Sequence, residues 1–337
     1  MKYYDCQKVL SYNRPFIFVM GNRGAGKSFT FKVKAVKDFL KKKRKFIYVR
    51  RYEDDLKLTA PSYFNDLKPL FTDVQFNYKQ GVFYINGEEA GYSVAVSQFL
   101  KMKSVSYPDV NLIIFDEFIT ESRKYIGGKD QPYLEPELCL NFYQTVARGF
   151  NRPIRDEVRF VFIANTVSIV NPYFVYYNID KMLKEDTKFL KTDFFVLEIV
   201  TQQEVQDAIR NTKFGKFIAG TKYGSYATDN KFYLDDEEFI EEAPNNCWYQ
   251  CTIVYDNKKY GLWEDKQNNI FYMNEKFDSF CKVIYSMDPT SHNSSTRLIS
   301  HSGNVYKNLR NAFENGQVRF SSQRAKNTLM LFLNYVK

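Results

Sequence analysis

A glycine-rich loop from Gly21 to Ser28 constrains this chain more than any other stretch. It reads Gly-Asn-Arg-Gly-Ala-Gly-Lys-Ser and fits the phosphate-binding pattern G-x-x-x-x-G-K-[ST]. The apolar run at 16–20 predicts a buried strand before the loop, and apolar residues at helical spacing follow it from Phe29 to Leu40. The pattern requires this strand–loop–helix context, so we expect a nucleoside triphosphate to bind here.

Each residue type in the loop serves phosphate binding. Glycine lets the backbone turn its N–H groups towards phosphate oxygens, and the helix N-terminus adds partial positive charge. We expect Lys27 to reach the β- and γ-phosphates and Ser28 to offer its hydroxyl to Mg²⁺. The predicted nucleotide contacts in the loop are Gly21, Arg23, Gly24, Ala25, Gly26, Lys27 and Ser28.

Another apolar run, from Val110 to Phe115, predicts a buried strand, and Asp116 and Glu117 follow it directly. An isolated acidic pair after such a strand is usually a turn, but a phosphate-binding loop upstream favours the second half of a nucleotide site. We expect Asp116 to hold the Mg²⁺ shell and Glu117 to polarise the attacking water as general base.

Three other polar residues are weaker candidates for the nucleotide site. Asn165 follows the apolar strand at 158–164, where a polar side chain can sense the γ-phosphate or simply cap a turn. Tyr12 and Arg14 precede the first strand, in a segment that packs on the adenine in many P-loop ATPases. The alternative for these two residues is an ordinary packed lead-in.

Arg50 and Arg51 follow a second buried strand at 46–49. Side chains just past the carboxyl end of a parallel strand point into the ligand crevice. These arginines are therefore predicted to contact nucleotide or nucleic acid, or to pair with the acids at 53–55.

The order of predicted elements indicates an α/β fold with a mostly parallel sheet and an antiparallel insertion at 74–97. Asn86-Gly87 predicts a hairpin turn within that insertion. An additional strand between the loop strand and the acidic strand is typical of P-loop NTPases with an additional catalytic Glu. The chain has no N-K-x-D motif, and Glu117-Phe118 follows Asp116 in place of x-x-Gly. Both observations disfavour a GTPase, so we expect ATP.

The composition changes twice along the chain and predicts three regions. Residues 1–200 form the ATPase domain, and 201–230 form a polar linker with some helix near Gln203–Arg210. Residues 231–337 form a small α+β domain with a basic end.

Composition also limits the function classes. Lysine and arginine number 48 against 39 acids, a formal charge of +9, which suits a polyanionic partner or simply a basic surface. Two histidines and five scattered cysteines leave little for zinc chemistry and favour free thiols in a reducing compartment. No apolar run reaches the roughly 18 residues of a membrane span, so a soluble cytoplasmic protein is expected.

Together these motifs resemble the genome-packaging ATPases of small picovirus-type tailed phages, which are relatives of the large terminases. Walker-type motifs occur in many ATPases, and three other matching pieces are far more specific. They are Arg50-Arg51-Tyr52, Tyr107-Pro108 and Val170-Asn171-Pro172-Tyr173-Phe174.

The resemblance implies a homo-oligomeric ring motor, pentameric in the family, that docks beneath the portal (connector) protein of an empty procapsid in the host cytoplasm. Such a motor translocates double-stranded DNA with ATP, and in some members a packaging RNA links ring and capsid. Large terminases carry an RNase-H-like nuclease after the ATPase. The carboxylates here do not suit an active one, so we expect a vestigial nuclease domain that binds RNA, DNA or the portal.

The resemblance also assigns residues. Arg148 falls where the family has a trans-acting arginine finger, and Lys103 matches a second trans-acting cation. Gly149-Phe150 departs from the family's spacing, so Arg152 remains an alternative finger. The candidates for DNA phosphate contacts are Lys57, Lys124 and Lys129, on loops expected to face the pore, with free surface lysines as the alternative.

Two other functions are compatible with parts of this pattern. One is a non-translocating P-loop ATPase switch or kinase acting in phage DNA replication or partition. The other is a nucleic-acid-binding assembly protein with a degenerate nucleotide site, against which the intact Lys27, Ser28, Asp116 and Glu117 argue.

Overall fold

The chain divides into two compact units, Met1–Leu234 and Asp235–Lys337, in a computed structural model. The residues described are 3–120, 124–127, 131, 134–149, 153–166, 171–179, 182–183, 187–221, 224, 239–255, 258–287 and 289–335. Within them, no helix is both long enough and apolar enough to cross a membrane.

In the described part of the first unit, nine strands form one sheet in the order β3-β4-β5-β2-β6-β7-β1-β9-β8. The strands are β1 (Phe16–Gly21), β2 (Lys45–Arg50), β3 (Phe76–Lys79), β4 (Val82–Ile85), β5 (Glu88–Ala95), β6 (Val110–Asp116), β7 (Arg159–Ala164), β8 (Phe189–Lys191) and β9 (Phe195–Val200). The helices are α1 (Gln7–Ser11), α2 (Lys27–Lys42), α3 (Glu53–Thr59), α4 (Leu134–Ala147), α5 (Pro172–Tyr176), α6 (Gln203–Arg210) and α7 (Lys213–Ile218).

The centre of this sheet is parallel, from β5 through β2, β6, β7 and β1 to β9, and the edge strands β3, β4 and β8 are antiparallel. Strand β7 lies between β1 and β6, so an additional strand separates the loop strand from the acidic strand. The predicted fold class, an α/β P-loop NTPase of the additional-catalytic-Glu class, is confirmed. All parallel strands direct their carboxyl ends to the same edge.

Apolar residues on both faces of the central strands explain why the sheet is buried. On one face Phe18 stacks on Phe162, with ring centroids 4.8 Å apart. On the other face, α2 packs through residues that include Phe31 and Phe39. Leu40, part of the predicted apolar pattern, is instead exposed at the end of α2. Helix α2 is thereby fixed with its N-terminus at the carboxyl edge of β1.

The predicted antiparallel insertion is present as β3, β4 and β5. Its hairpin turn has Asn86 at φ +52° and Gly87 at φ +82°, and a type I′ turn is the one that uses two consecutive left-handed residues. This turn is why an Asn-Gly pair was a reliable signal.

Residues 201–218, expected to be a linker, belong to the first unit. Helix α6 spans Gln203–Arg210 as predicted, and it buries Val205 and Gln206. The helix was expected, but the polar composition of the segment gave no sign that one face of the helix is buried. The first unit therefore extends beyond residue 200.

In the second unit, six described strands form a sheet in the order β14-β13-β10-β11-β12-β15. Only β11 runs antiparallel to its neighbours. From β12 across to β14, this is the strand order of RNase-H-like domains, as expected. The elements are β10 (Trp248–Tyr255), β11 (Lys258–Asp265), β12 (Ile270–Asn274), β13 (Ile284–Ser286), β14 (Arg297–Leu298), β15 (Val318–Phe320), α8 (Asn304–Glu314) and α9 (Gln323–Tyr335).

Candidate nucleotide site

The glycine-rich loop joins β1 to α2 at the carboxyl edge of the first sheet. Gly24 and Gly26 have φ values of +85° and +82°, a conformation that glycine adopts without strain. A Cβ on Gly26 would also lie 2.9 Å from Cδ1 of Tyr3. Both the backbone and the surroundings therefore require glycine at this position.

Lys27, the first residue of α2, is buried with 6% of its surface exposed. Its Nζ donates to the carbonyl oxygens of Gly21 and Asn22, each at 2.7 Å, and lies 3.5 Å from Oδ1 of Asn165. Burial lowers the pKa of Lys27 to about 8, and the nearby Asp116 opposes that shift. An anion bound at this loop would favour the charged lysine.

Ser28 and Asp116 meet across the cleft, where the Ser28 hydroxyl donates to Oδ1 of Asp116 at 2.8 Å. A hydroxyl next to a carboxylate is an all-oxygen donor set of the kind that Mg²⁺ prefers. These two residues therefore fit an Mg²⁺ ion.

Glu117 follows Asp116 and adopts the left-handed conformation, with φ at +62°. Its side chain is 60% exposed, and its Oε2 accepts from Nη2 of Arg50 at 2.6 Å. Arg50 Nη1 lies 3.9 Å from Oδ2 of Asp116. One guanidinium thus contacts the carboxylates of both predicted functional acids.

The structure shows which acids the two arginines contact. Arg50 contacts Asp116 and Glu117, while Arg51 turns into the interior and pairs with Glu135 at 2.9 Å. These partners, and not the acids at 53–55, hold the two side chains.

Most of the predicted loop residues share one cleft of about 270 Å³ with the two acids and Asn165, but Gly21 and Ala25 do not line it. Asn165 lies there because β7 ends beside β1, so the end of one strand faces the loop after the other. The cleft is lined by Arg23, Gly24, Gly26, Lys27, Ser28, Phe29, Asp116, Glu117, Ile163, Ala164 and Asn165.

The structure does not bring Tyr12 and Arg14 to this cleft. The Tyr12 ring packs on Phe189, with centroids 5.5 Å apart, and Arg14 pairs with Asp193 between β8 and β9 at 3.5 Å. Arg14 precedes β1 whereas the loop follows it, so a six-residue strand, roughly 20 Å long, separates them. Their predicted contact with adenine is therefore not supported.

Residues that sequence reasoning missed lie against the loop instead. Tyr3 packs on Phe29, with centroids 5.7 Å apart, and the Tyr4 N–H donates to Ala25 O at 3.0 Å. With its amide nitrogen assigned to face Ala25 O, the Gln202 side chain donates to that oxygen at 3.3 Å and accepts from the Tyr4 N–H at 2.7 Å. Tyr3, Tyr4 and Gln202 also line a second cleft of about 700 Å³. No motif marks them, because they reach the loop from distant segments.

The two predicted trans-acting cations lie side by side. Arg148 is exposed just after α4 and donates from Nη2 to the carbonyl oxygen of Lys103 at 3.0 Å. Stacking of Phe99 on Phe142, with centroids 3.9 Å apart, holds the 3-10 helix Val96–Met102 against α4. The fourteen residues of α4 span about 20 Å. Because α4 begins near Glu117 and ends at Arg148, Arg148 lies far from its own chain's cleft.

Two of the three lysines proposed to contact DNA lie within the described residues, and both are exposed. Lys57 is exposed on α3 and pairs with Asp54 at 2.8 Å, and Lys124 is exposed in the segment 124–127. Lys129 and the alternative finger Arg152 lie outside the described residues. In the described parts of both units, no group of three or more His, Cys, Asp or Glu side chains is arranged to hold a metal.

Comparison with known proteins gives a consistent result along the whole chain. Residues 1–335 match the family described as Podovirus DNA encapsidation protein (Gp16). The DNA packaging protein of Bacillus phage phi29 is 36% identical over 329 residues, covering 96% of this chain and 95% of that protein. A solved structure of the bacteriophage Phi-29 viral genome packaging motor assembly contains a similar chain, with a TM-score of 0.76, 34% identity and 99% coverage of both chains. The crystal structure of the N-terminal domain of the phi29 DNA packaging ATPase has a TM-score of 0.52 and 38% identity, covering 59% of this chain and 96% of that domain.

Proposed function

The chain belongs to the podovirus DNA encapsidation protein (Gp16) family, and on this premise we propose that it is an ATPase that drives double-stranded viral DNA into a procapsid. In this proposal it acts as a homo-oligomeric ring, most simply a pentamer as the family resemblance implies. The ring docks transiently on the portal protein in the host cytoplasm. A packaging RNA is a further partner of some family members.

The observation that carries the ATPase proposal is the convergence of Lys27, Ser28, Asp116 and Glu117 on one cleft. They come from two chain segments and meet at the carboxyl ends of β1 and β6, which β7 separates in the sheet. Lysine, hydroxyl and paired carboxylates at one cleft are the groups that phosphoryl transfer to water requires. A degenerate nucleotide site would lack at least one of them.

The chain's own residues divide the chemistry among them. Lys27 neutralises phosphate charge, and Glu117 accepts a proton from the attacking water as general base. Ser28 and Asp116 would hold Mg²⁺, which supplies charge neutralisation at the phosphates when bound. Arg50 contacts Oε2 of the Glu117 carboxylate at 2.6 Å, so a change in this ion pair would change the orientation of the base.

The finger is proposed to act between subunits. Arg148 lies about a helix length from its own cleft and is exposed, so it suits the cleft of a neighbouring subunit. A guanidinium supplied in trans to the transferring phosphoryl group is worth roughly 10³–10⁵ in rate. Lys103, whose carbonyl oxygen accepts a hydrogen bond from Arg148, would add a second cation there.

The second cleft is the proposed site of the nucleoside. Tyr3 contacts Gly26 and Phe29 of the phosphate cleft and lines the second cleft as well, so the two are neighbours. An aromatic ring beside the loop offers a stacking surface to a base.

A mixing experiment tests shared catalysis. Arg148→Ala subunits and Glu117→Gln subunits should each be inactive alone, and a mixture assembled on procapsids with duplex DNA should recover part of the ATPase activity. Lys41→Ala, an exposed substitution on α2, serves as the matched control and should behave like the parent. A mixture no more active than its separate components would overturn the trans assignment.

The same assay separates a motor from a nucleotide switch. A packaging motor should hydrolyse ATP faster with DNA and procapsids and should protect DNA from added nuclease. ATP turnover indifferent to both would instead support a switch acting in replication or partition.

A further inference from the structure

We propose that the buried ion pair Arg51–Glu135, together with Tyr173, positions the general base Glu117 and ties it to helix α4. This inference rests on the proposed ATPase function and assigns positioning residues to the same site. None of the three touches the cleft directly, so they would act through the backbone of Glu117.

Arg51 holds the chain where Glu117 leaves β6. Its Nη1 donates to the carbonyl oxygen of Glu117 at 3.2 Å, and its Nη2 donates to that of Phe118 at 2.6 Å. From the opposite side, the Phe118 N–H donates to the carbonyl oxygen of Ile163 in β7 at 3.1 Å. The turn that carries Glu117 is thus held by side chain and backbone together.

Such support is needed because Glu117 has an unfavourable backbone conformation. Its φ of +62° is uncommon for a residue with a long side chain, and positions of this kind persist only where the surroundings hold them. A relaxed backbone would redirect the Glu117 side chain away from the phosphates.

Glu135 in turn fixes Arg51. Its side chain is fully buried, and Nε of Arg51 donates to both carboxylate oxygens, at 2.9 and 3.1 Å. The Tyr173 hydroxyl donates to Oε1 at 2.6 Å, and the Ile126 N–H donates to Oε2 at 2.7 Å. The carboxylate therefore has four hydrogen bonds, which leaves Arg51 one orientation.

The aromatic surroundings of Arg51 strengthen this constraint. The guanidinium lies 5.1 Å from the ring centre of Tyr125 and 5.8 Å from that of Phe115. Burial raises the pKa of Glu135, and Arg51 opposes that shift. Removing either charge would leave the other without its partner in the interior.

A purely structural role explains this arrangement poorly. Replacing a buried ion pair by apolar residues of similar volume is often neutral or stabilising, so folding alone does not require one. Orientation does require it, because a planar guanidinium with several donors can hold two carbonyl groups and a carboxylate at fixed angles.

The cluster also connects the base to the helix that ends at the proposed finger. Glu135 lies in the first turn of α4, and Arg148 follows the last residue of that helix. Any displacement of α4 along its axis would therefore pull on Arg51 and change the position of Glu117. Movement of the finger and the geometry of the base are linked within one subunit.

The test measures steady-state ATP hydrolysis and ATP binding by the full-length Glu135→Gln protein, which keeps the shape of the side chain and removes its charge. We expect kcat to fall tenfold to a hundredfold, the loss typical of a catalytic group displaced by about 1 Å. We expect the affinity for ATP to stay within twofold, because Glu135 is not among the residues that line the phosphate cleft.

Two other variants separate positioning from stability. Tyr173→Phe removes one of the four hydrogen bonds and should give a smaller fall in kcat. Val36→Ala alters a fully buried residue of α2, on the other face of the sheet, and should lower the melting temperature without lowering kcat.

The outcomes are distinct. If Glu135→Gln and Tyr173→Phe hydrolyse ATP at the parent rate, or if Val36→Ala lowers kcat as much as they do, the positioning role is wrong. If Glu135→Gln does not fold, the result for Tyr173→Phe decides. A parent protein that hydrolyses no ATP when assembled on procapsids with DNA would overturn the proposed function itself.

Discussion

The polar side chains at the strand ends of the two sheets differ in where their hydrogen-bond partners come from. At the carboxyl edge of the first sheet, side chains from distant parts of the chain, including Lys27, Asp116 and Asn165, meet at one cleft. At the end of β11 in the second sheet, Asp265 accepts hydrogen bonds from Gln267 and Asn268, two and three residues away. A turn that satisfies itself needs no ligand, whereas polar groups assembled over long chain separations indicate one.

The largest expected effect comes from removing the central cation of the first sheet. Lys27→Ala should lower kcat/KM for ATP by about 10²–10³-fold or more, since a charge aimed at the reacting phosphates is lost. Steady-state kinetics measures this effect, and thermal unfolding should show a folded protein. A kcat/KM within tenfold of the parent value would mean that the cleft around Lys27 is not a site of ATP hydrolysis.

A core substitution in the second unit should leave the nucleotide site unchanged. Met273 is fully buried with Leu262 and Leu329, so Met273→Ala should lower the free energy of unfolding of that unit by about 2–5 kcal/mol. Differential scanning calorimetry measures the loss, and binding of a fluorescent ATP analogue should stay within twofold of the parent. A large loss of ATP binding would show that the two units are not independent in this respect.

The lowered pKa of Lys27 predicts how ATP binding depends on pH. In the free protein the ammonium loses its proton as the pH rises through about 8, whereas bound phosphates would hold the proton to higher pH. Binding therefore takes up a proton above pH 8, and affinity should fall by up to about tenfold per pH unit there.

Calorimetric titration of ATP between pH 7 and pH 9.5 tests this dependence. The control is Lys27→Arg, whose guanidinium stays charged over this range and whose residual binding should lose the pH dependence. An unchanged slope in the arginine variant would assign the titration to another group.

The smallest effect concerns the residues ahead of the first strand. Tyr3→Ala should weaken ATP binding by about threefold to tenfold, the range expected for one aromatic contact. Tyr12→Ala should leave binding within twofold, because Tyr12 lines neither cleft, although its ring packs on Phe189 of the second cleft. The opposite ranking would restore Tyr12 to the site and remove Tyr3 from it.

Sequence predicted the parts of the site whose signals are local. The glycine-rich loop and the Asp116-Glu117 pair are each continuous in the chain and bordered by apolar runs, so their positions at strand ends followed from the parallel sheet. Arg51 and Glu135 are separated by 84 residues, and Tyr4 and Glu198 by 194. No periodicity marks such pairs, because tertiary packing alone selects their partners.

Composition was a poor guide where polar residues are buried. The segment 201–230 looked like a linker because it is polar and contains three glycines, yet Val205 and Gln202 lie against the phosphate-binding loop. Tyr12 and Arg14 looked like nucleotide contacts because they precede the first strand. Tyr3 and Tyr4 lie at the loop that follows β1, whereas Arg14 lies at the opposite end of β1, just before the strand begins.

Helix α4 gives the proposed motor a dependence on its neighbours. An isolated subunit would have Glu117 and Lys27 at its own ATP site, but its Arg148 would face solvent at the far end of α4. When the protein is diluted below the concentration at which it assembles, the rate of ATP hydrolysis should therefore fall more steeply than in proportion to the protein concentration. Each subunit would need the arginine of its neighbour, so ATP would be hydrolysed only in a closed ring that already surrounds the DNA.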